Sequence, residues 1–402
     1  MTTMAPLFDL FDPQAVEDPY PLWRAMREQA PVYRVPGTDC FFVTSWAHVA
    51  EAMRRTEDFS SNLTGVLVTA ADGTPAVFDM DPTGAAMHVL ATADAPSHPL
   101  HRRLVGQVLA PQLRALAPRI PVLVDQLWSQ LPPGRIDWVS GMADRLPMHV
   151  LAEVLGIPDE HVPELQRWAY DSTELLGGFA SSARLRELVH SATELAVFLK
   201  DSFAQPHSPR SLMGTLRAAV REGRVGELEA VMILVQMVDA GAESTAALLA
   251  SSARFLAEQP EWQDRLRAQP KLIPAFLEEM LRLDSPFRGH YRHAVSDTTL
   301  GDVRVPAGSH VMLVWGAANR DPAAYPDPDS IDITRPRGRS HLAFGGGVHL
   351  CLGSALARAE GAAAIEALLA RTRRIALVPD AAPVRLPSVF VRRHLSLPLE
   401  LS

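Results

Sequence analysis

Apolar residues recur at helical spacing through most of the chain between positions 98 and 283, and the runs break at proline, glycine or polar clusters. The pattern predicts helices at 98–109, 111–117, 119–131, 139–155, 159–177, 182–204, 210–222 and 272–283. The longest run, Glu227 to Gln259, has no break and would span ~50 Å as one helix. Ahead of this block, Pro21–Ala30 and Trp46–Arg55 read as helices. Val32–Val35 and Cys40–Thr44 read as a hairpin turning at Pro36-Gly37. Residues 59–92 lack periodicity and predict a long irregular loop. After 283 come strand-like pieces near 302–305 and 309–314, a Pro/Asp-rich irregular stretch at 321–340, a glycine-rich loop, a helix from Ser354 to Thr372, and strands over 374–398. The expected fold is mainly α with a small β part near 30–60 and 374–398, in a single domain over 1–402.

Composition narrows the function. Hydrophobic residues make up 47% of the 402, ample for a large core, and the 33 prolines are spread through the connections with no linker or repeat. A net charge of −8 argues against nucleic acid as a partner. Two cysteines, Cys40 and Cys351, could form at most one disulfide, so reduced thiols are the default. The segment Met1–Tyr20 carries Asp9, Asp12, Glu17 and Asp18 and no long apolar run. It reads as neither signal peptide nor membrane anchor, and a cytoplasmic location is expected.

The chemistry concentrates at Phe344-Gly345-Gly346-Gly347-Val348-His349-Leu350-Cys351-Leu352-Gly353. Glycines let backbone N–H groups close around the Cys351 sulfur, and the following helix start adds partial positive charge; both favour a thiolate able to bind metal. Upstream, Glu279 and Arg282 form E-x-x-R and share a helix face. Ala240-Gly241-Ala242-Glu243-Ser244-Thr245 lies mid-way in the longest helix. Glycine, with Ser and Thr hydroxyls bonding back to carbonyls, invites a local widening there.

The pattern F-x-x-G-x-x-x-C-x-G, the preceding E-x-x-R, Ala318-Asn319-Arg320-Asp321-Pro322 between them and the long helix ahead resemble the cytochromes P450 from about residue 15 to the end. The blocks 57–64, 89–94, 241–248 and 287–293 resemble an orphan P450 family known from mycobacteria. The resemblance implies haem b between the long central helix and the cysteine-loop helix, with Cys351 as axial iron ligand. It makes Glu279, Arg282 and Arg335 the proximal brace. His98, Arg102, Arg292 and His349 would hold the propionates, with Phe344, Gly345, Ala240 and Gly241 against the macrocycle. Glu243 and Ser244 would form the acid–alcohol pair of the oxygen-binding groove, where the family more often has threonine at the position of Ser244. The walls of the substrate pocket would come from Phe78, Met80, Val89, Ala240, Phe287, His290, Val389 and Phe390, with Gln236 as a polar handle. His101 and His341 read as surface residues.

The implied activity is monooxygenation of a hydrophobic or amphipathic small molecule, since a thiolate ligand favours O–O cleavage. Electrons would come from a separate ferredoxin and ferredoxin reductase, docking at Arg102, Arg103, Arg114 and Arg119. Two alternatives stay open: a peroxide-driven haem enzyme, disfavoured by the retained Glu243 and Ser244, and a haem-thiolate sensor or ligand-binding protein without turnover.

Overall fold

The computed structural model describes residues 8–335 and 341–402. The end of the predicted irregular stretch, 336–340, lies outside the described residues. The rest of that stretch is irregular as expected, apart from turns.

The small sheet explains how the two ends of the chain meet. Its strands run in the order Val32–Arg34, Cys40–Val43, His310–Leu313, His290–Ala294, Phe59–Ser60. The first two form the expected hairpin, with Val32 opposite Val43. Cys40–Val43 then pairs parallel with His310–Leu313, and the remaining pairs are antiparallel. The strand His290–Ala294 was not predicted. It can lie so close because residue 289 is glycine: a Cβ there would sit 2.0 Å from the Leu313 carbonyl oxygen. A second sheet joins Ile375–Leu377, Pro398–Leu401 and Arg135–Asp137.

Three further expectations are corrected. Residues 59–92 are not one irregular loop. Gly65–Thr69 and Pro75–Asp79 form a hairpin, closed by Asp72 accepting from the Thr74 N–H and hydroxyl around Gly73. Val66 and Leu67 are fully buried and Val68 nearly so. A strand buried on both faces loses the alternation that would mark it. Second, 98–109 and 111–117 are one helix, Ser97–Leu116, running through Pro111. Proline forfeits one backbone bond, but Leu104, Val105, Val108 and Leu116 anchor the helix into the core on both sides of it. Third, the longest run is two helices, Glu227–Gly241 and Glu243–Glu258, hinged at Ala242 (φ −99°, ψ −53°). Together they are long and apolar enough to cross a membrane, yet their inward faces fill the two largest helical clusters of the core.

Candidate active site

The cysteine loop is shaped by its glycines. Gly345 and Gly347 adopt φ +64° and +62°, which side-chain-bearing residues rarely do. The Cys351 N–H donates to the Phe344 carbonyl (2.9 Å), folding the loop back on itself ahead of the helix Ser354–Arg371. Cys351 keeps accessible surface, yet enough protein crowds its sulfur that burial pushes the thiol pKa up. The N–H groups of Gly353 and Ser354 and the charges of Arg102 and Arg358 pull it back down. Cys40 is buried, and its thiol is pushed up to about 12.

Behind the loop lies a buried ionic frame. Arg282 makes two parallel 2.8 Å bonds to the Glu279 carboxylate, and Arg335 adds a third at 3.2 Å. Arg282 also donates to the carbonyls of Asn319, Pro328 and Ser330, so its guanidinium stitches the irregular stretch to the helix Ile273–Leu283. Asn319 Oδ1 accepts from the Leu342 N–H (2.7 Å), tying that stretch to the start of the cysteine loop. A second pair went unforeseen: Arg358 is bidentate on Glu278 (2.6 and 2.9 Å) and stacks on Phe344. Neither residue stands in a motif, and they are eighty positions apart. His341, read as surface, is buried and bonds Glu278 (3.2 Å).

A third group gathers beside the cysteine. The rings of His98 and His349 lie 4.0 Å apart. His349 Nε2 shares a hydrogen bond with the Ser61 hydroxyl (2.8 Å), while His349 Nδ1 and His98 Nε2 are buried without a partner among the described residues. Arg102 donates to the Leu350 carbonyl (2.8 Å), and Arg292 is buried with one bond to the Tyr291 carbonyl (2.7 Å). Burial and the neighbouring Arg292 push His349 down to about 3, and burial pushes Arg292 down to about 10. This is a pocket rich in positive and donor groups; the charge of Asp94, itself bonded by the Ser60 hydroxyl and the Ser61 N–H, reaches Arg292 and His98. His101, also read as surface, is fully buried between Glu229 and the Leu90 N–H.

At the helix hinge, the Ser244 hydroxyl donates to the Ala240 carbonyl (3.1 Å). Glu243 is fully buried and paired with Arg393 (2.5 Å), a residue the sequence did not single out. The Arg393 guanidinium lies over the Tyr170 ring (4.2 Å), and Tyr170 donates to Asp144 (2.7 Å). Ala240, next to last in the otherwise largely buried helix Glu227–Gly241, is exposed.

The predicted pocket residues divide. Phe78, Met80, Phe287 and Phe390 share one apolar cluster, with the Phe287 and Phe390 rings 5.2 Å apart. Val89 belongs instead to the cluster under the central helix, and Val389 is buried, its N–H held by the Gly177 carbonyl. Gln236 is not a free polar handle. Its carboxamide accepts from the Ala91 N–H (2.7 Å) and reaches Thr92 (3.4 Å), pinning the turn at 90–92 to the central helix. Among the four arginines of 98–119, Arg119 is taken up by Glu153, whereas Arg103 and Arg114 are exposed.

The residues present fit a haem. A thiol ringed by N–H donors, an uncovered alanine on the facing helix, and orphaned buried histidine nitrogens beside two arginines match an iron ligand, a macrocycle face and two carboxylates. A cytochrome P450 family model matches residues 182–373. Cytochrome P450 144 of Mycobacterium tuberculosis is 43% identical over 389 residues, covering 95% of this chain and 89% of the relative. The beta-dihydromenaquinone-9 omega-hydroxylase of the same organism is 33% identical, covering 92% and 74%. Among solved structures, P450BioI in complex with hexadec-9Z-enoic acid ligated acyl carrier protein superposes with TM-score 0.85 at 27% identity, covering 97% of this chain and 100% of that one. CYP109E1 from Bacillus megaterium in complex with testosterone superposes with TM-score 0.85 at 25% identity, covering 97% and 99%. With a match of this extent over a site of this chemistry, the chain belongs to the cytochrome P450 family, the haem-b monooxygenases.

Proposed function

We propose that this protein inserts one oxygen atom into a hydrophobic or amphipathic small molecule, using electrons from a separate ferredoxin system. The observation that carries the reading is the glycine-shaped Cys351 loop at the start of a helix, Ser354–Arg371, that packs on Glu243–Glu258, the helix that opens at the hinge with Glu243 and Ser244. Bound haem b supplies the oxygen-activating and C–H-oxidising chemistry. Cys351 would hold the iron as thiolate, and Gly345, Phe344, Ala240 and Gly241 would line the macrocycle. His98, Arg102, Arg292 and His349 would take the propionates. The Glu279–Arg282–Arg335 frame would keep the loop rigid.

Protons are the chain's own part in the reaction. Ser244 Oγ can release the Ala240 carbonyl and donate toward the site. Glu243 would resupply it. Burial raises the Glu243 pKa, and Arg393 and the Thr173 hydroxyl draw it back. The apolar cluster of Phe78, Met80, Phe287 and Phe390 would hold the substrate and exclude water. Relatives named for a menaquinone, a fatty acyl chain and a steroid support an apolar substrate class. Arg103 and Arg114 are exposed on the helix Ser97–Leu116, and Val348 and Leu350 of the loop are exposed apolar residues. Arg102 fixes their helix against Leu350. That surface would dock an acidic ferredoxin.

The test is turnover with a ferredoxin, its reductase and ¹⁸O₂, on a ligand that perturbs the haem spectrum. One labelled oxygen atom in the product is expected. Spectral binding with no product under these conditions would support a sensor instead.

A further inference from the structure

His290 is a polar side chain in the aromatic wall of the proposed pocket. It opens the strand His290–Ala294. Its ring packs edge-on to Phe390 (6.0 Å) and stacks on Trp315 (6.1 Å), and Trp315 in turn abuts Gly345 of the cysteine loop. The imidazole therefore sits where the pocket wall meets the cysteine loop.

The ring's tautomer follows from its contacts. His290 Nδ1 lies 3.2 Å from the Tyr291 carbonyl oxygen. A carbonyl only accepts, so Nδ1 carries the proton and donates. In a neutral imidazole the other nitrogen, Nε2, is then an acceptor with a free lone pair. Burial and the Arg292 charge hold the ring's pKa down at about 4, so it stays neutral at working pH. The charged or titratable groups that bear on it are Arg292 and His349. Neither is an acid that would draw a second proton onto the ring. Nε2 has no partner among the described residues, and the residue is half-buried.

We infer that His290 Nε2 is a hydrogen-bond acceptor for the substrate, which selects apolar molecules carrying a hydroxyl, phenol or amide N–H over carboxylates and over pure hydrocarbons. This rests on the pocket reading above and sharpens its substrate class. A carboxylate would set its lone pairs against that of Nε2. A hydrocarbon would leave Nε2 desolvated and unpaired, and an unmade bond of this kind costs more than a made one returns. A haem propionate is a poor partner for the same electrostatic reason, which separates His290 from His98 and His349.

The test uses two probes on one biphenyl framework on the haem-loaded protein, the donor 4-hydroxybiphenyl and its methyl ether 4-methoxybiphenyl, titrated by optical difference spectra. The wild type is expected to favour the phenol by about tenfold, the upper range for one net hydrogen bond. H290F should lose that preference while still binding the ether. H290Q, whose amide oxygen restores an acceptor, should recover part of it. Haem content and the reduced carbon monoxide spectrum are measured on all three proteins. Loss of haem in H290F would overturn the inference by making His290 a cofactor residue. Equal preference for the phenol in wild type and H290F, or no preference or no binding by the wild type, would also overturn it. A failure of the P450 reading itself would show separately, as a missing thiolate spectrum in the wild type.

Discussion

Carboxylates on the two sides of the site are held in opposite states. On the cysteine-loop side burial would raise Glu278, but the bonds from His341 and Arg358 outweigh it and hold the group down at about 2; Glu279 is lowered in the same way by Arg282. At the helix hinge burial wins. Asp144 is raised to about 6 and Asp239 to about 7, and Glu243 is raised too. The difference lies in the cation count. Glu278 and Glu279 face Arg282, Arg335, Arg358 and His341, whereas Asp144 and Glu243 share Arg393, and Asp239 has an unpaired buried Oδ1 although the residue keeps some surface. A fully ionised, fully bonded frame suits a loop that must not move. A cluster short of cations stores protons and suits a face that must pass them on.

Breaking the frame should have the largest effect. Glu279→Ala strands the buried Arg282 and Arg335 charges and should cost ~3–5 kcal/mol. Thermal unfolding should show a collapse of stability with little haem retained. A stable, haem-loaded variant would remove the frame from the account. Disabling the hinge should act on chemistry and leave stability alone. Ser244→Ala should keep haem content and ligand affinity but lower product per electron, toward the low end of the ~10²–10⁴-fold range for proton-transfer groups, with peroxide released instead. Full coupling in that variant would end the relay assignment.

The pH dependence sharpens the contrast. An acid whose folded pKa is raised contributes stability below its unfolded value and loses it as pH rises through the folded one. Asp239 should therefore make the protein less stable as pH climbs from about 4 to about 7. Asp239→Asn should flatten that slope by on the order of 1–2 kcal/mol. Glu278 has the opposite sign: its contribution is present above about 4.5 and is lost only as pH falls toward about 2. Urea midpoints of wild type and Asp239→Asn at pH 5 and 7.5 would check this, and parallel curves would contradict it.

How much of this could be read from the chain depends on how far apart the partners stand. Glu279 and Arg282 are one helical turn apart, and Cys351 sits inside its own loop signature, so short-range spacing made them visible. The hinge was foreseen from Gly241 and Ser244, though as a widening and not as a break. Arg393 was not foreseen, because it reaches Glu243 across 150 positions from a segment without a motif. The hairpin 65–79 was hidden by burial on both faces. Gln236 was placed correctly on the helix next to the site, but nothing local could reveal that the 90–92 turn would claim its amide.

A smaller effect concerns the electron donor. Arg103→Glu or Arg114→Glu should slow reduction by a ferredoxin severalfold at low salt and weaken its salt dependence, since exposed charges are screened beyond ~8 Å at physiological ionic strength. Dithionite reduction should be nearly unchanged. Cys40→Ser, in a buried strand away from the loop, should leave haem binding intact.

Both sides of the site depend on Cys351 as the proposed thiolate ligand. The reduced carbon monoxide difference spectrum of Cys351→Ala beside wild type tests it most directly. The wild type should show the red-shifted band of a thiolate-ligated haem and the variant should lack it altogether; a variant that keeps the band would contradict the account.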